Sequence, residues 1–267
     1  MTFSLVPPSL FDRVRVVLVR TSHPGNIGSA ARAMRTMGLS RLVLVQPRSF
    51  PDAEADALAA SATDVLEQAQ VCETLEEALA GTVVQIAFSA RTRTLSHRPL
   101  DAREAARELL QTPGELALVF GNETYGLSNE EVLLCNRLAH IPTDEEASSL
   151  NLAAAVQVAV YELRMAWLAA SSTTAPEARA SSELDRQEGE LAKHEDIERF
   201  LAHLEKSLYT SGFLQPGNPR RLMERLRRLY AKANLEVEEV NILRGMLTEW
   251  DKALQRSGSI VDKKARK

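Results

Sequence analysis

Residues 116–170 read LALVFGNETYGLSNEEVLLCNRLAHIPTDEEASSLNLAAAVQVAVYELRMAWLAA, and the fold is decided here. The apolar run Leu116–Phe120 is cut off by Gly121-Asn-Glu-Thr-Tyr-Gly126, the pattern of a buried strand that ends in a tight turn. A second apolar run, Leu138 to Ile141, stops at Pro142. After the acidic loop Asp144-Glu145-Glu146, the stretch Ser148-Ser149-Leu150-Asn151 opens a long apolar helix, with a serine expected to cap its first free amides. Two strand ends and one helix start thereby collect unpaired backbone groups, which is where open α/β sheets bind small ligands.

Outward from this stretch the pattern repeats. Val14–Val19 is an apolar strand, followed by the loop Thr21–Asn26 and a helix from Ile27 to Met37, stopped by Gly38 where a left-handed cap is needed. Leu42–Val45 is a second strand. A helical stretch through Ala53–Ala60, a weak strand near Val71, a helix Leu75–Ala80, a strand Val83–Phe88 and a helix Asp101–Gln111 lead back to Leu116. Strands alternating with short helices predict an α/β fold, a mainly parallel sheet with helices on both faces. A dinucleotide-binding reading fails on residues, because no G-x-G-x-x-G follows the first strand and no G-x-x-x-x-G-K-[ST] occurs.

Three blocks carry a more specific signal: Gly121-Asn-Glu-x-x-Gly-Leu, then Ile141-Pro, then SSLNLAAAV from Ser148. With SHPGNIGSAARAMRTMG from Ser22, they resemble the SPOUT family of trefoil-knotted RNA methyltransferases. The resemblance implies a deep trefoil knot in the sheet, which pattern alone gives no reason to expect. It implies S-adenosylmethionine as methyl donor, bent in a pocket made by three loops, with the matching positions at Phe88-Ser89-Ala90, Gly121, Ile141 and Ser148-Ser149-Leu150. It implies a catalytic role for Arg32, which by itself would read as part of a solvated helix face. A normal guanidinium cannot act as a base, so Arg32 is assigned to orienting the ribose hydroxyl and neutralising a phosphate. It also implies a homodimer with sites at the subunit interface.

Beyond Ala170 the composition shifts. Residues 1–170 hold 14 arginines, no lysine and 20 acidic residues, a net charge of −6, whereas 171–267 carry all seven lysines and a net of +2. Residues 171–190 read as a polar linker. Residues 191–256 read as a three-helix extension, and 257–267 as a disordered tail. In the second of these helices Arg221, Arg225, Arg228 and Lys232 are spaced four, three and four apart, on one face. That face is either solvated or bound to an RNA backbone, and the family resemblance favours tRNA. The order of helices, with GFLQPGNPRRLMERLRRLY and NILRGMLTEW, resembles the extension of the family members that methylate the ribose of nucleotide 32 in the tRNA anticodon loop. The alternatives are a related enzyme acting on ribosomal RNA and a non-catalytic RNA-binding protein of the same fold.

Composition bounds the remaining classes. The apolar share of 45% and charged share of 25% are those of a globular protein. No apolar run in the sequence is long enough to span a bilayer, and the N-terminus lacks a signal-peptide pattern, so a cytoplasmic protein without a membrane partner is expected. Cys72 and Cys135 form no CxxC and predict reduced thiols and no structural metal. His23 is a candidate proton acceptor in the first loop. Glu123 either serves the substrate or ties down its own loop, with the structural role favoured, and the Asn122 side chain is read as having no direct part in binding.

Overall fold

The computed structural model describes residues 9–91, 99–146, 148–172, 189–215 and 219–265. The chain forms two compact units, 1–186 and 187–267. In the first, the elements run α1 (Leu10–Arg13), β1 (Val14–Val19), α2 (Pro24–Met37), β2 (Arg41–Val45), α3 (Ala53–Ala59), a 3-10 turn (Ala60–Ala62), α4 (Thr63–Glu67), β3 (Gln70–Cys72) and α5 (Leu75–Leu79). They continue with β4 (Thr82–Phe88), β5 (Leu100–Asp101), α6 (Ala102–Gln111), β6 (Glu115–Phe120), α7 (Asn129–Leu133), β7 (Arg137–His140) and α8 (Leu152–Ser172).

The seven strands form one sheet in the order β3-β2-β1-β6-β4-β7-β5, and every neighbouring pair is parallel. β1 is buried along its whole length because both faces of the sheet are covered. Its side chains alternate between two cores. Val14, Val16 and Leu18 join Met34, Leu109 and Leu163 from α2, α6 and α8, while Val17 and Val19 join Leu79 and Val132 from α5 and α7. β6 enters the sheet between β1 and β4, and β7 pairs with β4 on its other side. The loops leaving β1, β4, β6 and β7 therefore emerge at the same edge, the carboxyl end of a parallel sheet.

Gly38 closes α2 with φ +91°, and its amide is donated to the Met34 and Arg35 carbonyls, as the sequence predicts. The cap of α8 differs from expectation. Asn151 Oδ1 accepts the amides of Ala153 at 2.9 Å and Ala154 at 3.3 Å, whereas Ser148 and Ser149 lie upstream of the helix. The capping side chain must sit directly before the first helical residue to reach these amides, and that position belongs to Asn151.

α8 also corrects the expectation that no segment is long and apolar enough to cross a membrane. Its 21 residues include an 18-residue window of mean hydropathy 1.3 and pass by length and composition. Glu162 and Arg164 break the run in sequence but are accommodated at the helix sides. Glu162 pairs with Arg103 of α6 at 3.1 Å, and the Arg164 guanidinium lies 5.2 Å from the Trp167 ring centroid and 5.4 Å from that of Phe11. Leu152, Val156, Val160 and Leu163 are buried, while Tyr161, Met165 and Leu168 are exposed.

In the second unit α9 (His194–Thr210), α10 (Pro219–Ala233) and α11 (Val237–Ala265) share a core of Phe200, Leu201, Leu204, Leu208, Val240 and Leu247. The Tyr230 ring meets Phe200 edge-on at 4.8 Å, and Arg227 of α10 forms a bidentate pair with Glu198 of α9. α11 runs on to Ala265, where the sequence suggested a disordered tail. No proline follows Val237, and Lys263, Lys264 and Ala265 are good helix formers. Most of the expected linker, residues 173–188, lies outside the described residues.

α2 and α3 approach closely at Gly28, where an added Cβ would stand 2.0 Å from the Ala55 carbonyl oxygen. Gly28→Ala is expected to destabilise the fold by about 1–3 kcal/mol through forced separation of the helices. Chemical denaturation of the full chain measures this, with the half-buried neighbour Ser29→Ala as the control. An unchanged midpoint would mean the two helices can part freely.

Candidate active site

Three of the loops at the carboxyl edge enclose one cleft of about 390 Å³. Its lining includes Phe88, Ser89 and Ala90 after β4, Gly121 after β6, and Ile141, Ser148, Ser149 and Leu150 after β7, so every residue assigned to the donor from sequence meets in it. The Phe88 and Phe120 rings stack at 4.7 Å between centroids and 11° between planes at the strand ends that border it. Leu152 and Ala155 from the first turn of α8 add apolar surface.

The loop after β6 is held by Asn122. Its Oδ1 accepts the amides of Thr124 (2.9 Å) and Tyr125 (3.2 Å), and its Nδ2 donates to the Arg20 carbonyl (2.7 Å). The Gly126 amide closes the turn onto the Asn122 carbonyl at 2.7 Å, and Gly126 itself has φ +64°. The turn itself requires glycine at 121. An added Cβ there would stand 2.2 Å from both the Gly126 carbonyl carbon and the Leu127 nitrogen. The small residue lets the loop fold onto its own backbone, which comes before any approach of a ligand. Tyr125, at the tip, is 72% exposed.

Glu123 joins this loop to the one after β1. Its Oε2 accepts the Ser22 amide at 2.9 Å and the Ser22 hydroxyl at 2.6 Å, and its Oε1 accepts the His23 amide at 3.1 Å and Asn26 Nδ2 at 2.9 Å. Partial burial pushes this carboxyl up, but the hydrogen bonds from Ser22 and Asn26 outweigh it and bring it down to about 2. Asn26 Oδ1 in turn accepts Asn151 Nδ2 at 2.9 Å, the same asparagine whose Oδ1 caps α8. A chain of polar contacts thus runs from the turn after β6, through the start of α2, to the start of α8.

Arg32 is exposed on α2 and does not line the cleft. Among the described residues it makes no ion pair, in contrast to Arg35, whose Nε lies 3.0 Å from Asp64. His23 is exposed, and its backbone amide rather than its ring is engaged by Glu123. Asp144, Glu145 and Glu146 are exposed in the loop after β7, where Asp144 accepts the Glu146 amide at 2.9 Å. On α10, Arg225 and Lys232 are exposed and Arg228 is half-buried, while the side chain of Arg221 lies outside the described residues. The sequence reading passed over Arg91, Thr124 and Thr143, which also line the cleft. Their only signal was adjacency to the loop motifs, since each is an ordinary surface residue type.

Comparison with known proteins follows the two units. Residues 13–161 match the model of the SpoU rRNA methylase family, and residues 195–259 match the C-terminal domain of the tRNA methyltransferase TrmJ. The chain is 54% identical over 248 residues to the tRNA (cytidine/uridine/adenosine-2′-O-)-methyltransferase TrmJ of Pseudomonas aeruginosa, covering 91% of this chain and 95% of that one. It is 47% identical to the tRNA (cytidine/uridine-2′-O-)-methyltransferase TrmJ of Klebsiella pneumoniae, covering 89% and 96%. The crystal structure of TrmJ from Z. mobilis ZM4 superposes with a TM-score of 0.76 at 31% identity, over 89% of this chain and 98% of that one.

The Glu123 tether has a pH signature. Its carboxyl sits below the ordinary value of 4.5, so the stabilisation it gives is complete above pH 4.5 and is lost as pH falls toward about 2. Glu123→Gln offers an amide donor where donors already converge and is expected to speed hydrogen exchange at the Ser22 and His23 amides at neutral pH. The wild-type chain should approach the variant's exchange behaviour only in that acid window. Equal protection of both amides in the two proteins at pH 7 would show that the carboxylate does not hold the loop.

Proposed function

The chain belongs to the SpoU methylase family, and on that premise we propose that it is a tRNA 2′-O-methyltransferase that draws its methyl group from S-adenosylmethionine. The ribose it modifies is that of nucleotide 32, a cytidine or uridine in the anticodon loop. The observation that carries this reading is the pairing of a donor-sized cleft, lined by all the loop residues the resemblance names, with a TrmJ-type C-terminal domain. That domain also weighs against a ribosomal RNA substrate. Such an enzyme acts in the cytoplasm.

The cleft's residues fit the donor. Phe88, Phe120, Ile141, Leu150 and Leu152 supply apolar surface for an adenine, and the loop backbone supplies amides and carbonyls for its edge. When bound, the donor offers an electrophilic methyl on a sulfonium, which needs no metal to become a leaving group. Transfer then needs an in-line ribose oxygen that gives up its proton. Glu123 is an unsuitable acceptor, because all of its lone-pair directions are taken by Ser22, His23 and Asn26. Its task is to hold the loops in register.

Arg32 makes no ion pair among the described residues, which suits the orientation of a hydroxyl beside a phosphate. Because it does not line this chain's own cleft, the reading places Arg32 of the partner subunit over the donor. The exposed apolar side of α8, with Tyr161, Met165 and Leu168, supports a homodimer. The trefoil knot belongs to the same reading, and the entry of β6 between β1 and β4 is compatible with it.

Incubation of the full chain with labelled S-adenosylmethionine and unmodified tRNA, followed by mapping of the methylated ribose, tests the assignment. Label at nucleotide 32 is expected, and label confined to ribosomal RNA would overturn the choice of substrate. Arg32→Ala is expected to lower turnover at saturating tRNA at least about 100-fold while calorimetric donor affinity changes little. Near-normal turnover would remove Arg32 from the chemistry.

The basic face of α10 gives a separate expectation. Changing Arg225, Arg228 and Lys232 together to Gln should weaken tRNA binding and make the plot of log affinity against log salt shallower by roughly two. Donor affinity should not move. An unchanged salt slope would assign this helix another task, such as bracing the dimer.

A further inference from the structure

The described lining of the cleft carries two charged side chains, Glu123 and Arg91. Glu123 is saturated by four donors from the loop after β1, and Arg91 makes no ion pair among the described residues. Arg91 follows Ser89-Ala90 at the end of β4 and is fastened there by a local turn, its amide donating to Ser89 Oγ at 3.2 Å. Ser89 is itself anchored to the sheet, its amide donating to the Ala139 carbonyl of β7 at 3.0 Å. The backbone that presents the guanidinium is therefore held at both residues, while the guanidinium has no ion-pair partner among the described residues.

A guanidinium that lines the cleft without a described anionic partner calls for an anionic ligand group. The donor is a zwitterion at its amino-acid end, and of its parts only the carboxylate is anionic. The acidic groups around the cleft, Glu123 and the exposed Asp144, Glu145 and Glu146, suit the sulfonium and ammonium but repel this carboxylate. We propose that Arg91 is the partner of the methyl donor's carboxylate and so selects ligands that carry an intact amino-acid tail. An RNA phosphate is the competing anion. It is the weaker match because Arg91, though exposed, lines the same cleft as the residues that suit the adenosine, whereas Arg32 of the same unit does not line it. The forked guanidinium can bind both carboxylate oxygens at once, which a lysine cannot do.

The inference rests on the cofactor reading above and is tested by comparing two ligands on the full chain. S-adenosylhomocysteine keeps the amino-acid tail, and 5′-methylthioadenosine lacks it. In calorimetry, Arg91→Gln should weaken S-adenosylhomocysteine about tenfold or more while leaving 5′-methylthioadenosine within about twofold. Arg91→Lys should recover part of the loss. An equal fall for both ligands would mean that Arg91 only shapes the loop, and no fall for either would overturn the proposal. A normal affinity for S-adenosylhomocysteine with a raised KM and a shallower salt dependence for tRNA would assign Arg91 to a phosphate instead. Failure of the wild-type chain to bind S-adenosylhomocysteine would bring down the cofactor reading itself, and this inference with it.

Discussion

The cleft depends on one carboxylate. Glu123 sits on a turn after β6, and the four donors it accepts come from Ser22, His23 and Asn26, about a hundred residues earlier in the chain. Charge-assisted hydrogen bonds to a fixed carboxylate are among the stronger contacts available at a half-exposed site, and here they converge on one pair of oxygens. Because Asn26 also accepts from Asn151, the same tether reaches the first turn of α8. A loop that would otherwise lose entropy on meeting a ligand is already ordered by these contacts.

The sheet makes the tether possible. β1 and β6 are adjacent and parallel with Leu18 opposite Phe120, so the turns that follow them leave the same edge side by side. Burial on both faces leaves no freedom of register, since a slip by one residue would exchange the two cores along the whole strand. Gly121 and Gly28 serve this arrangement at close range, one folding a turn onto itself and the other drawing two helices together.

The first unit's use of arginine follows the same logic. Arg13 donates to the Thr112 and Gly114 carbonyls, Arg15 to those of Ala78 and Ala80, and Arg41 to that of Asp12. A planar fork with five donors can satisfy several carbonyls at a loop or helix end, which a lysine cannot match, and this accounts for part of a composition of 14 arginines and no lysine before residue 171. Among the described residues Arg32 and Arg91 are not used in this way, which separates them from the structural arginines. In the second unit Arg227 is spent on Glu198, while Arg225 and Lys232 remain exposed.

Residue pattern alone was enough for six of the seven strands, all but the two-residue β5, for the left-handed cap at Gly38 and for the three loops, because burial and turn chemistry are local and periodic. Together with the family resemblance it also named the cleft's lining at Phe88–Ala90, Gly121, Ile141 and Ser148–Leu150. It did not reveal that Asn151 rather than a serine caps α8, that Gly121 is needed by its own turn, or that Arg91 faces the cleft. Nor could it show that Glu123 grips Ser22 and Asn26, or that Arg32 stands outside the pocket of its own chain. Those facts depend on which distant segments a parallel sheet brings to one edge, and strand order is set by the packing of the whole core rather than by any window of residues.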